Sequence, residues 1–257
     1  MVLLLPLIVV FAISLLGLTG GFALLYREKW AKSISKYLIN FAVGAMLGVV
    51  FLDILPETLN LVPSSSILMY SLIGIITFYL LEKTLFWYHH HSMEQIWHKN
   101  HTAEEKIHPV GFLIMLGDAL HNFIDGLIIG AAFLTNFALG MTTSIAVLFH
   151  ELPEEVGIFA VLIHAKFKRT KIIVYNIAAQ LCAVIGALVG LLYLPLFSKN
   201  LTAAVLAFAA GSFIYIANTD LLPETHREKE PVKSLVQIVL LLIGVLTIWF
   251  VTKVFAE

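Results

Sequence analysis

The sequence predicts an all-α integral membrane protein of eight transmembrane helices in a 3+2+3 arrangement, with spans 1–3 and 6–8 related as an inverted repeat. Three observations predict it. The 257 residues are 60% hydrophobic and 13% charged, with mean hydropathy +0.92, which is far more apolar than a water-soluble domain of this size. Eight stretches have about the 20 apolar residues needed to cross a ~30 Å hydrocarbon core. A segment of eighteen residues also recurs at an offset of 167.

The first stretch, 2–25, has no basic residue before it and is too long for a signal-peptide core, so it is read as a retained span. Spans 2 and 3 fall near 37–59 and 65–88. Spans 4 and 5, near 110–134 and 138–163, are read as helices despite polar insertions because their flanks are continuously apolar. Spans 6, 7 and 8 fall near 172–194, 200–224 and 234–254. Barrel strands would alternate over about ten residues, and no such pattern occurs. Residues 1–257 read as a single transmembrane domain, with a His-rich loop over 89–108 within it.

Basic residues orient the chain. Of the sixteen Lys and Arg, only Lys199 and Lys253 fall outside the segments joining spans 1–2, 3–4, 5–6 and 7–8. By the positive-inside rule those four segments are cytoplasmic and both termini face out, in a cell (inner) membrane. The formal charge of −1 and the lack of a basic stripe make no case for nucleic acid. A lone cysteine, Cys182, excludes an intramolecular disulfide and a thiolate metal cage.

The repeat pairs Phe41 through Thr58 with Phe208 through Thr225, identical at eight of eighteen positions, including Asp53, Pro56 and Glu57 against Asp220, Pro223 and Glu224. Five crossings separate the copies, so they traverse the bilayer in opposite directions, an arrangement common among transporters. Spans 4 and 5 form the centre. Gly17, Gly20 and Gly21 on span 1 are read as allowing close helix packing.

Those central spans carry two polar runs, His121-Asn122-Phe123-Ile124-Asp125-Gly126 and His150-Glu151-Leu152-Pro153-Glu154-Glu155. An acid at the centre of a membrane helix disfavours insertion by roughly 2.5–3.5 kcal/mol, so the three on the second run would cost about 8–10 kcal/mol unpartnered. Neither run contains Lys or Arg, and a bound cation is the simplest partner. Asp118, His121, Asn122 and Asp125 share one helical face by their i, i+3, i+4, i+7 spacing. His150 and Glu154 are i,i+4, as are Glu151 and Glu155. Imidazole, amide and carboxylate donors without thiolate suit Zn²⁺, Fe²⁺ or Mn²⁺. Pro153 removes one helical hydrogen bond on this face.

These motifs resemble the Zrt/Irt-like, or ZIP, metal transporters, and the likeness covers essentially the whole chain. It rests most on His121-Asn122-x-x-Asp125-Gly126, on His150-Glu151-x-Pro153-x-Glu155 and on the span 7 run Asp220-x-Leu222-Pro223-Glu224. The resemblance implies one metal position from His121, His150 and Glu154, and a neighbouring one from Asn122, Asp125, Glu151 and a bridging Glu154. It also implies an elevator-like motion of spans 1, 4, 5 and 6, and a possible homodimer. Glu154 stands where the mammalian branch has a second His, and Gly48-Val49 where many relatives have Gly-Asp. On span 6, where some bacterial members place a carboxylate, the nearest residue is Gln180, either ligand or interhelical hydrogen-bonding residue, with Asn176 one turn earlier.

The expected function is transport of divalent transition-metal ions, Zn²⁺ first and Fe²⁺, Mn²⁺ or Cd²⁺ as alternatives, with no prosthetic group. The expected metal ligands are His121, Asn122, Asp125, His150, Glu151, Glu154 and Gln180. Six histidines between His89 and His108 form a tract that either captures ions or is a solvated linker. Two rivals remain. His150-Glu151-x-x-Glu154 is one residue from the His-Glu-x-x-His pattern of zinc hydrolases, although Pro153 and the missing second His count against an intramembrane enzyme. A metal sensor would bind without flux.

Overall fold

The computed structural model describes residues 4–97, 109–164, 167–196, 198–226 and 228–255, and every regular element among them is helical. Helix α1 (Leu4–Val49) runs into a π-helical turn (Val50–Ile54) and the short α2 (Leu55–Leu61). Helices α3 (Ile67–Trp97), α4 (Pro109–Thr135), α5 (Phe137–His164) and α6 (Arg169–Tyr193) follow. After a single 3-10 turn (Leu194–Leu196) come α7 (Lys199–Ile216), a second π-helical turn (Ala217–Leu221), α8 (Leu222–Thr225) and α9 (Pro231–Phe255).

The hydropathic stretches thus all become helix, with one correction at the first junction. Residues 26–36, expected as a loop, are helical apart from Arg27, whose φ −143°, ψ 59° breaks α1 into two arms. Good helix formers and a Glu28–Lys32 ion pair at 2.6 Å, one turn apart, explain why the exposed segment stays wound. At the His-rich segment, 89–97 continues α3 and 98–108 lies outside the described residues.

Five helical stretches among the described residues are long and apolar enough to cross a membrane: Leu4–Leu61, Ile67–Thr84, Arg169–Leu196, Lys199–Thr219 and Pro231–Val254. The first is 58 residues long and contains the Arg27 break. The polar-run helices α4 and α5 are not among them. Large apolar side chains face outward along the others, such as Ile73, Ile76 and Leu80 on α3 and Leu235, Leu242 and Leu246 on α9, a surface that hydrocarbon would cover and water would not.

The repeat is visible in the backbone. The two π-helical turns begin at Val50 and Ala217, the same offset of 167, and each is followed at once by a Leu-Pro-Glu-Thr helix start. Packing repeats too. The second arm of α1 crosses α9 where Gly44 meets the Leu241 backbone and Gly244 meets the Phe41 carbonyl. Helix α7 crosses α3 where Gly211 meets the Ser71 carbonyl and Gly74 meets the Phe208 carbonyl. Gly44 and Gly211 are equivalent positions of the repeat, as are Phe41 and Phe208.

A second set of close crossings knits the centre. Gly126 and Gly130 of α4 lie against the Ala183 and Ala187 backbone of α6, while Gly186 and Gly190 of α6 lie against the Phe123 and Leu127 carbonyls of α4. The first arm of α1 meets α5 through Gly17 beside Glu151, Gly20 beside the Leu152 carbonyl and Gly21 beside the Phe159 ring, as the glycine reading expected.

Because a Cβ at Gly126 or Gly186 would strike backbone rather than a yielding side chain, Gly126→Val and Gly186→Val should each destabilise by about 1–3 kcal/mol or more. Gly157→Ala, with open space around it, should stay within about 1 kcal/mol of the native protein. Thermal unfolding in detergent measures both, and equal melting of all three variants would contradict the packing described.

Candidate metal centre

Helix periodicity places Asp118, His121, Asn122 and Asp125 on one face of α4, and glycine contacts hold that helix against α6. Helix α5 is held against α1 by Gly17 and Gly20, beside Glu151 and Leu152 themselves. It continues as helix through Pro153, so His150, Glu151, Glu154 and Glu155 keep helical spacing. The two polar faces meet.

His121, Asp125, His150 and Glu151 each offer a ligand atom, all within 4.8 Å of one another. The His121 and His150 Nε2 atoms are 3.3 Å apart. His150 Nε2 is 3.0 Å from Asp125 Oδ2 and 3.9 Å from Glu151 Oε1. His121 Nε2 is 3.6 Å from Asp125 Oδ2, 3.8 Å from Glu151 Oε1 and 3.3 Å from Glu154 Oε2. Tetrahedral ligands at about 2.0–2.2 Å from a zinc ion would be about 3.3–3.6 Å apart, the range these atoms straddle.

Hydrogen bonding aims the donors inward. His150 Nδ1 donates to the Ala146 carbonyl at 3.1 Å, so in the neutral ring Nε2, which faces Asp125, is the nitrogen that carries the lone pair. Asp125 Oδ2 and Glu151 Oε1 are buried and have no hydrogen-bond partner among the described residues. Lone pairs converging on one another repel, and a divalent cation among them turns that repulsion into binding. Exposure is graded around the point. The side chains of His150, Asp125 and Glu151 are 0–3% exposed, His121 is 12% and Glu154 31%, so the centre opens on the Glu154 side.

The remaining expected ligands Asn122 and Gln180 are near, with their amide N–H groups hydrogen-bonded. Asn122 Nδ2 donates to the Asp118 carbonyl at 3.1 Å and to its Oδ1 at 2.9 Å. Gln180 Nε2 donates to Glu151 Oε2 at 2.6 Å and to Glu155 Oε1 at 2.9 Å, the interhelical hydrogen-bonding role, tying α6 to α5. Asp118 and Glu155 are therefore structural members of the site outside the expected ligand set. Their i−3 and i+4 spacing from His121 and Glu151 was the signal.

The wall opposite α4 and α5 is aromatic. Phe213 of α7 lies edge-on to His150 with ring centroids 6.0 Å apart, and Phe78 of α3 lies likewise on His121 at 6.3 Å. Elsewhere, buried Asp53 of the first π-helical turn accepts hydrogen bonds from Thr142 of α5 and, at 3.3 Å, from Thr252 of α9. No sequence pattern pointed to those threonines. The side chains of Asp220 and Glu224 lie outside the described residues.

A family model described as ZIP zinc transporter matches residues 2–111 and 89–252. The zinc transporter ZIP13 of Pongo abelii is 32% identical over 255 residues, covering 90% of this chain and 74% of that relative. The zinc transporter foi of Drosophila melanogaster is 39% identical over 158 residues and human ZIP10 is 41% identical over 155. Those matches take in 62% and 55% of this chain but only 22% and 18% of the relatives, so the chain spans a minor part of their length. On the extent of these matches, the chain belongs to the ZIP zinc transporter family.

Proposed function

We propose that this chain carries divalent transition-metal ions, zinc foremost, into the cytoplasm by alternating access through the centre between α4 and α5. One observation carries the proposal: imidazole nitrogens and carboxylate oxygens of two apolar helices crowd within a few ångströms, with Asp125 Oδ2 and Glu151 Oε1 lacking any hydrogen-bond partner among the described residues. His121, Asp125, His150 and Glu151 form the first coordination position, and Glu154 hands the ion in or out. Asn122 and Gln180 flank it through Asp118 and Glu151. Fe²⁺, Mn²⁺ and Cd²⁺ fit the same donors. Relatives named as zinc transporters favour carriage over the hydrolase reading of His150-Glu151-x-x-Glu154.

The proposed topology is eight spans in one domain, with α1 supplying two across the Arg27 break and both termini outside the cell membrane. Glycine contacts pair α4 with α6, the first arm of α1 with α5, its second arm with α9, and α3 with α7; we group these into two bodies, the first arm of α1 with α4, α5 and α6, and its second arm with α3, α7 and α9. The imidazoles lie at the seam, against Phe78 and Phe213 of the second body. In the elevator motion we propose, the first body slides along this aromatic wall and carries the ion with it, in a homodimer as the family resemblance implies. The histidines between His89 and His108 are proposed to collect ions at the cytoplasmic exit. Protons compete for the same lone pairs, so affinity falls as pH falls.

In liposomes holding the full chain, His150→Ala and Glu154→Ala should each cut Zn²⁺ uptake by more than about tenfold. Undiminished uptake by correctly inserted protein would remove that residue from the path. For topology, in a Cys182→Ser background, Lys199→Cys should react with a membrane-impermeant maleimide added outside intact cells, and Lys32→Cys only after permeabilisation. The opposite pattern inverts the orientation; equal reactivity sinks the span count.

A further inference from the structure

The two arms of α1 are joined at Arg27, and between them, walled also by Leu152 and Val156 of α5, lies a cleft of about 220 Å³. Its lining reaches Thr19 on the first arm and Leu38 on the second, eight and eleven residues from Arg27, which at 1.5 Å per residue is about 12–16 Å along each helix. Apolar groups make most of the wall, and the Thr19 hydroxyl is spent on the Leu16 carbonyl. Such a space suits hydrocarbon rather than water. It is also small beside the about 300–1,000 Å³ of pockets that take compact drug-sized molecules. One extended hydrocarbon chain matches both its length and its chemistry.

The end where the arms join carries positive charge. Ala23 and Ala31 line the cleft, and Arg27 stands midway between them, four residues from each. Arg27 is exposed and makes no ion pair or hydrogen bond among the described residues. Glu28, the only acid between positions 26 and 36, is held by Lys32 at 2.6 Å, and Lys29 adds a further cation. Trp30 also lines the cleft, three residues beyond Arg27, and is 54% exposed. An indole beside cations at the end of an apolar stretch is the composition of the layer where bilayer meets water.

We propose that this cleft binds an anionic phospholipid, with one acyl chain between the arms of α1 and the headgroup at Arg27. A free phosphate leaves the apolar walls uncovered, and an uncharged hydrocarbon leaves Arg27 without a partner. A zwitterionic lipid brings a cation of its own against Arg27 and Lys29. The two parts of the site together therefore select an amphiphile with a negative head. The binding stands on the cleft and its charged end; only the origin of the lipid in the cytoplasmic leaflet rests on the topology proposed above.

The test uses the full chain with Trp87, Trp97 and Trp249 replaced by Phe, which leaves Trp30 as the only indole. In phosphatidylcholine bilayers its fluorescence is titrated with phosphatidylglycerol or phosphatidylcholine brominated on the acyl chain, since bromine quenches an indole only in contact. Half-quenching should need about fivefold less of the brominated phosphatidylglycerol. Arg27→Gln should erase that preference and Arg27→Lys should keep it. Ala23→Phe, which puts a ring into the cleft, should weaken quenching by both lipids. Equal quenching by the two lipids in the Arg27 protein, or a preference that survives Arg27→Gln, would overturn the assignment. Unchanged quenching in Ala23→Phe would put the lipid on the outer surface instead of in the cleft, and quenching by neither lipid would mean that protein, such as a second copy of the chain, covers Trp30; both outcomes overturn it as well. Because Arg27 is exposed, its variants keep the test decisive where Ala23→Phe fails to fold. Zn²⁺ uptake takes no part in the readout, so failure of the transport reading would leave this result standing.

Discussion

Lone pairs of buried imidazoles and carboxylates converging inside an apolar bundle are the constraint on which the rest of this structure depends. A soluble protein would relieve such a cluster with water, and a hydrocarbon-embedded one has none to spare. The surrounding architecture answers by bringing helices close enough that every donor arrives from a rigid element. Gly126 lies next to Asp125, Gly17 next to Glu151, and Gly186 against the carbonyl of Phe123, two residues after His121. The small residues and the polar ones thus sit side by side at the same helix crossings.

Duplication explains how the remainder is organised. The Gly44 contact with α9 and the Gly211 contact with α3 are the same contact made twice, as are the two π-helical turns. Crossings of this kind knit α4 to α6, α5 to the first arm of α1, and the outer helices to one another. Where the two sets meet, ring edges of Phe78 and Phe213 lie against the imidazoles, and Thr142 of α5 donates a buried hydrogen bond to Asp53.

Hydropathy and helical spacing made much of this legible. The apolar stretches are helices, and the faces bearing His121, Asp125, His150 and Glu151 do meet. Local pattern could not show what depends on neighbours far along the chain. The segment at 26–36 looked like a loop because it is charged, yet charge on a solvated helix costs little and Glu28 pairs with Lys32. The π-helical turns carry no compositional mark beyond the Pro that restarts each helix. Asn122 turns to Asp118 and Gln180 spends its N–H groups on Glu151 and Glu155, choices set by which acceptors lay unpaired in three dimensions. Asp53 finds Thr142 and Thr252 across 89 and 199 residues, a separation no spacing rule reaches.

The graded exposure from Glu154 through His121 to His150 would have a kinetic consequence for an ion entering the proposed centre. A divalent ion in water holds its hydration shell tightly, and stripping that shell in a single event would set a prohibitive barrier. A carboxylate that is still partly wetted can replace one water while the others stay, and the half-sheltered imidazole the next. For an ion taken up at the proposed centre, dehydration would be spread over a staircase of small exchanges instead of falling on one event.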